Sequence, residues 1–148
     1  MVIGPRAEAL LYAAARAQLT EEALDPLLDA GTWVLLDRFV DSSLAYQGGG
    51  RELGIDAVRE INWFATGGVA PDRTLLLVID PSLGKSRSRD RGEALDRLEL
   101  EQDSFHARIA NVYEQLAAAD PDRIRRIDAA QPEEQVLDAA LAALSDLA

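Results

Sequence analysis

The 148-residue chain contains no cysteine, one histidine (His106) and one methionine, and aromatic residues make up only 5% of it. Zero cysteines exclude a disulfide scaffold and a thiolate metal site, and a lone histidine argues against a histidine-built one. This cysteine usage suits a reducing cytoplasm. No apolar run approaches the ~20 residues of a membrane span, and the N-terminus lacks the basic-then-apolar profile of a signal peptide, so no membrane partner is expected. Positive charge is also scarce: 15 Lys and Arg against 26 Asp and Glu give a net charge of −11. That balance argues against sequence-independent binding of a nucleic-acid backbone, which needs a basic face, and no nucleic-acid partner is expected.

What is present suits an ordinary soluble domain, with 48% apolar and 28% charged residues. The charge is unevenly spread. Lys85, Arg87, Arg89, Arg91 and Arg97, five of the 15 basic residues, fall within thirteen positions. A local basic cluster in an acidic chain points to a dedicated anion site.

The pattern of residues predicts helices alternating with strands. Pro5 to about Leu19 is rich in Ala, Leu and Glu and suits a helix with Pro5 in its first turn. Thr20 is the expected N-cap of a continuation to Asp29, with Gly31 as the stop. Thr32–Leu36 is a short apolar run of strand formers ending at Asp37-Arg38. Asp56–Phe64 is helical in pattern and closed by Gly67-Gly68. Thr74–Ile79 is an unbroken apolar run, expected to be a strand buried on both faces. Leu95–Ala119 reads as a long helix with Leu98, Phe105, Ile109, Val112 and Leu116 on one side. Ile124–Ile127 is a third, weaker strand. Pro132 opens a last helix with a stripe of Val136, Leu137, Ala140, Leu141 and Leu144. Strands separated by helices imply one α/β unit with a parallel sheet and flanking helices.

In such sheets ligands bind beyond the carboxyl ends of the strands. Those ends deliver Asp37-Arg38 and the polar segment from Asp41 to Gln47, then Asp80 and the arginine cluster, then Asp128. Arg38 can grip a ligand phosphate with its planar fork while Asp37 holds a metal-bound water or orients that arginine; a plain strand-end ion pair is the alternative. Arg87, Arg89 and Arg91 at spacing two would fan around a regular helix. They suit either a flap closing over a triphosphate or a solvated segment balanced by Asp90, Glu93 and Asp96. Gly84-Lys85-Ser86 imitates the end of a phosphate loop, but Ile79 stands where its first glycine belongs and Pro81 lacks a needed N–H. No other stretch fits that pattern. Tyr12 and Arg16, four apart, share one helix face, as a base-stacking ring beside a fork donor or as a core aromatic with an arginine at its rim. His106 receives no role.

Several runs together carry a more specific signal. Arg6–Gln18, Trp33–Arg51, Ala65-Thr-Gly-Gly68, Pro71–Leu77, the Arg87/Arg89/Arg91 flap and Leu95-Asp-Arg-Leu-Glu99 closely resemble bacterial thymidylate kinase across essentially the whole chain. The resemblance implies a nucleoside-monophosphate-kinase-like parallel sheet and transfer of phosphate from MgATP to dTMP, giving dTDP. It implies that Tyr12 stacks on thymine, that Arg16 bonds its edge, and that Arg38 binds the substrate phosphate with Asp37 near the Mg2+. It implies that Ser43 and Gln47 contact base or phosphate, and that Tyr46 lies beneath the deoxyribose. Arg87, Arg89 and Arg91 resemble a catalytic lid (about 82–97), Arg87 and Arg91 with ATP contacts, and Ala129 and Gln131 lie in the loop near adenine. It further implies a homodimer, with the helices at 5–29 and 54–66 as the surface.

The departure from the family is the missing opening strand, phosphate loop and Arg-Glu-Pro-Gly segment. On this reading the chain is an N-terminally truncated single domain: a dTMP-binding segment about 5–68, the lid, and a C-terminal strand and helix about 124–147. Its central strand is expected to be absent from between 32–37 and 74–80, and its activity alone to be lost or impaired. The alternatives are a non-catalytic nucleotide-binding or dimerisation fragment, and a kinase for another nucleoside or nucleotide.

Overall fold

The computed structural model describes residues 3–80 and 103–147, which form two compact units. Of these, 3–70 with 103–113 make up the first, and 71–80 with 114–147 the second.

The first unit is helical. Helix α1 (Pro5–Leu19) has Pro5 at its start, where a missing N–H costs nothing. It runs without a break into a π-helical turn, Thr20–Leu24, and then α2 (Asp25–Asp29). Thr20 is therefore not an N-cap: its backbone is helical and its N–H bonds Arg16 and Ala17 carbonyls, whereas a cap needs extended geometry. Pro26 gives the reason for the wider turn. It cannot supply the next bond of the α-helical ladder, and the Asp25 N–H reaches back five residues to Thr20. Gly31, at φ 70°, ends the run as expected.

The expected strand at 32–36 does not form: no ladder partner for it exists among the described residues, and Trp33 and Leu35 (91% exposed) face outward. An extended segment becomes a strand only through its hydrogen-bonded neighbour. The polar segment after it is helical instead, as α3 (Val40–Ser43) and a π-helical stretch, Leu44–Gly50. Its glycines permit this. A Cβ on Gly50 would lie 2.6 Å from the Phe105 ring, and one on Gly49 would collide with Val112. The chain thus packs backbone-close against α5 (Asp103–Ala119). Helix α4 (Ile55–Ala65) completes the unit, closed by Gly67 and Gly68 at positive φ. The core is Ala9, Ala13, Leu24, Leu44, Ala45, Val58, Phe105, Ile109 and Val112. Leu98 and the expected helix start at Leu95 lie outside the described residues.

The second unit holds the sheet. Strands β1 (Thr74–Val78) and β2 (Ile124–Asp128) pair in parallel, Thr74 opposite Ile124 and Val78 opposite Asp128. Ile124 and Ile127 are buried, but Leu77 is exposed, so β1 is not covered on both faces. Helix α6 (Glu133–Leu144) follows. Of its predicted stripe, Leu137 and Leu141 are exposed while Val136, Ala140 and Leu144 are half-buried. Arg73 ties the unit's ends, bonding both carboxylate oxygens of Asp146 at 2.8 Å and the Asp122 carbonyl at 2.9 Å.

Candidate functional site

Helix α1 presents Glu8, Tyr12 and Arg16 at intervals of four, along one face. Arg16 is held on three sides. Its Nη1 donates to Ser43 Oγ at 2.7 Å and to Asn62 Oδ1 at 3.1 Å, and its Nη2 to the Phe39 carbonyl at 3.0 Å. The guanidinium also lies 5.9 Å from the Tyr12 ring centre and 6.0 Å from that of Phe39, within cation–π range. Burial draws the Arg16 pKa below the usual arginine value, and the nearby Tyr12 and Tyr113 hydroxyls offset part of this. At its far end the same face carries Glu8, whose buried carboxylate receives Gln47 Nε2 at 2.9 Å and Arg51.

Arg38 stands in the turn before α3 with φ 69°, a left-handed conformation rarely adopted by a bulky side chain. Such strain persists where the surroundings impose it and clusters at ligand sites. The Arg38 head group lies 5.2 Å from the Tyr46 ring centre. Partial burial acts to lower its pKa, but a hydrogen bond with Tyr46 and the charges of Tyr46, Tyr113 and Asp37 outweigh that and raise it. Tyr46 in turn meets Phe105 edge-on at 6.2 Å. Beside it, the Ser42 and Tyr113 hydroxyls share a 2.8 Å hydrogen bond.

The structure therefore brings together Tyr12, Arg16 and Ser43 in one contact group and Arg38 with Tyr46 in another, all in the first unit. Gln47 is engaged with Glu8. Asp37 is exposed, and its charge acts on Arg38. No group of three or more potential metal ligands occurs among the described residues. Mg2+ takes one or two carboxylates and completes its shell with water and phosphate oxygens, so Asp37 as a single carboxylate is compatible with it. Ala129 and Gln131 belong to the second unit: the Ala129 N–H bonds the Val78 carbonyl at 2.8 Å, and Gln131 Nε2 donates to Asp128 Oδ2 at 2.9 Å. That bond, with one from the Ala130 N–H, holds the exposed Asp128 carboxyl below its usual range. Arg87, Arg89 and Arg91 lie outside the described residues.

Sequence reasoning missed Glu8, Phe39, Arg51, Asn62 and Tyr113. Two of these left a signal. Glu8 continues the Tyr12/Arg16 spacing by one turn, and Asn62 falls between Val58 and Thr66 on the one stripe of α4 that is buried. Nothing in the local sequence marks Tyr113 or the Phe39 carbonyl.

A parallel α/β pair in one unit, with arginines clamped by polar helix faces in the other, places the chain among α/β proteins with helical crossovers. The thymidylate kinase family model matches residues 3–140. The thymidylate kinase of Halorhodospira halophila is 48% identical over 141 residues, covering 95% of this chain and 66% of that protein. That of Oenococcus oeni is 51% identical over 132 residues, 88% of this chain and 62% of that one. That of Deinococcus radiodurans is 46% identical over 144 residues, 97% and 69% respectively. The chain belongs to the thymidylate kinase family, and its fold class is that of the P-loop nucleoside-monophosphate kinases. It spans a little under two thirds of the length of the first of these relatives. Among the described residues no helix is long and apolar enough to cross a membrane.

Proposed function

We propose that this chain supplies the nucleotide-monophosphate site of a dTMP kinase, in which the γ-phosphoryl group of ATP passes to a phosphate oxygen of dTMP, giving dTDP and ADP. The observation that carries the reading is the Tyr12–Arg16 pair, with Arg16 immobilised by Ser43, Asn62 and the Phe39 carbonyl. Tyr12 is half-exposed and offers its face to a base; Arg16 offers its remaining N–H groups to a keto oxygen on that base. Ser43, only 2% exposed, accepts from Arg16 and acts by holding that guanidinium rather than by reaching the nucleotide itself. Tyr46, beneath the sugar, completes the contacts, and Gln47, 2% exposed and bonded to Glu8, supports the segment from behind. Arg38 neutralises the substrate phosphate, where a guanidinium fork matches two oxygens. Asp37 would hold Mg2+, which would supply charge screening at the phosphates. Arg87, Arg89 and Arg91, outside the described residues, are proposed to contact the donor phosphates, and Ala129 and Gln131 its adenine.

Calorimetric titration of the 148-residue chain with dTMP, dUMP and dCMP tests this. Saturable dTMP binding is expected, weakened by about 1–3 kcal/mol in Tyr12→Ala through lost stacking. A chain that binds dTMP no better than dCMP sinks the assignment.

A second reading applies to catalysis. The 148 residues contain no G-x-x-x-x-G-K-[ST] pattern, which in phosphate-loop enzymes wraps the donor phosphates. Binding without turnover is then expected of this chain alone, and a coupled assay with MgATP showing turnover equal to that of the longer relatives overturns it. For association, the exposed Leu10, Leu11, Leu27 and Leu28 of α1–α2 and Trp63 and Phe64 of α4 support a homodimer surface. Sedimentation analysis decides it: a strictly monomeric chain at tens of micromolar removes that proposal.

A further inference from the structure

Asparagine is a poor choice inside a helix, and a buried amide is worse unless it is bonded. Asn62 is nevertheless 1% exposed in the middle of α4, on the stripe it shares with Val58 and Thr66. Its hydrogen bonds explain its presence. Nδ2 donates to the Val58 carbonyl at 2.8 Å, and because a carbonyl only accepts, the amide has one orientation. Oδ1 is thereby pointed at Arg16 Nη1, 3.1 Å away.

Arg16 has five N–H donors, of which three are committed, to Asn62, Ser43 and Phe39. The acceptors come from α4, from α3 and from the turn before α3, so the plane of the guanidinium is set. Two N–H groups remain for a ligand. Guanidinium only donates, so those groups suit a keto oxygen and meet a ring amino group donor to donor. An arginine free to turn aside imposes no such rejection; one held in plane does.

We infer that Asn62 is a positioning residue that sets discrimination between 4-oxo and 4-amino pyrimidine nucleotides by fixing Arg16. Fully enclosed, it touches no ligand itself. The inference rests on the nucleotide-site reading above. It assigns selectivity to a helix-interior residue that the motif-bearing segments do not contain.

The test compares wild type, Asn62→Leu and Asn62→Asp in calorimetric titrations with dTMP, dUMP and dCMP, alongside thermal melts. Asn62→Leu removes the acceptor at similar size and is expected to reduce the dTMP-over-dCMP preference about tenfold, the scale of one lost hydrogen bond to a charged group. The dTMP-to-dUMP ratio stays unchanged, since both bases carry the 4-oxo group. Asn62→Asp keeps an acceptor oxygen for Arg16 and restores the dTMP-over-dCMP preference to within about threefold of wild type. A purely structural role lowers the melting temperature and both affinities together, leaving the preference intact; that outcome overturns the inference. If Asn62→Leu does not fold, Asn62→Ala reads the same ratio without added bulk. Should wild type bind none of the nucleotides, the functional reading fails, and NMR of the Arg16 guanidinium judges the positioning separately. Resolved, slowly exchanging Nη signals that average in Asn62→Ala uphold it, and signals already averaged in wild type overturn it.

Discussion

The Glu8 carboxylate and the Arg51 guanidinium meet at two points, Nε to Oε1 and Nη2 to Oε2, both at 3.2 Å, with Glu8 only 3% exposed. Gln47 adds a third bond to the same carboxylate. Removing one partner of a buried pair leaves the other charge uncompensated. Glu8→Ala is therefore expected to destabilise the chain by about 3–5 kcal/mol. Replacing both members, as Glu8→Leu with Arg51→Met, costs much less. Urea unfolding of the single and double variants checks this, and equal losses in the two would show that packing rather than charge dominates.

At Gly49 and Gly50 the Leu44–Gly50 stretch lies so close to α5 that a side chain has no room. Gly50→Ala must displace the Phe105 ring and Ile109 Cγ1, the latter 3.1 Å from the added carbon. Overpacking of this kind costs about 1–3 kcal/mol. Gly49→Ala meets Val112 in the same way, and Val112→Ala in that background is expected to recover part of the loss. A Gly49→Ala chain as stable as wild type in urea would show that α5 gives way without strain.

Arg38 separates stability from binding. At φ 69° a side chain other than glycine is strained, so Arg38→Gly is expected to exceed Arg38→Ala in stability by about 1 kcal/mol. Both variants lose the fork proposed to receive the phosphate. The matching measurement is dTMP against thymidine binding: the two variants bind the nucleotide no better than the nucleoside. A retained preference for the phosphorylated ligand removes Arg38 from that role.

Tyr113 gives the first unit an alkaline limit. Burial raises its pKa, the Ser42 hydrogen bond and Arg38 pull it back, and Tyr46 and Asp41 push it up again, leaving it above the usual tyrosine value. A pKa raised on folding means that the native chain holds this proton more tightly than the unfolded one. The associated stability is complete below pH about 10 and is lost as pH rises through the folded value. Tyr113→Phe is expected to flatten that loss while costing about 1 kcal/mol near pH 7 through the missing Ser42 bond. Unfolding free energies between pH 8 and 11 provide the check, and identical alkaline slopes would exclude Tyr113 as the source.

Much of this chain was legible before folding was considered. Pro5 and Gly31 bound the first helical run, Gly67-Gly68 close α4, and the apolar runs at 74–79 and 124–127 mark the two strands that pair. The Tyr12/Arg16 spacing identified the face that bears the candidate base contacts, because helical period alone brings those residues together. The family was also readable from the segments 6–18 and 33–51. What misled was strand character at 32–36, where β-propensity describes a preference that only a paired neighbour realises.

Composition and spacing determined the alternation of helices and strands, several helix ends and the shared face of Tyr12 and Arg16. They did so because backbone preferences and helical period act over a few residues. Tertiary structure decided the rest. It made Ser43 and Asn62 the anchors of Arg16, although they lie 27 and 46 positions away in the chain. It committed Gln47 to Glu8, set Arg38 in a left-handed turn over Tyr46, and turned Gly49 and Gly50 into a helix contact. Each of these depends on which groups meet when apolar surface is buried, and no local pattern specifies a partner so distant in sequence.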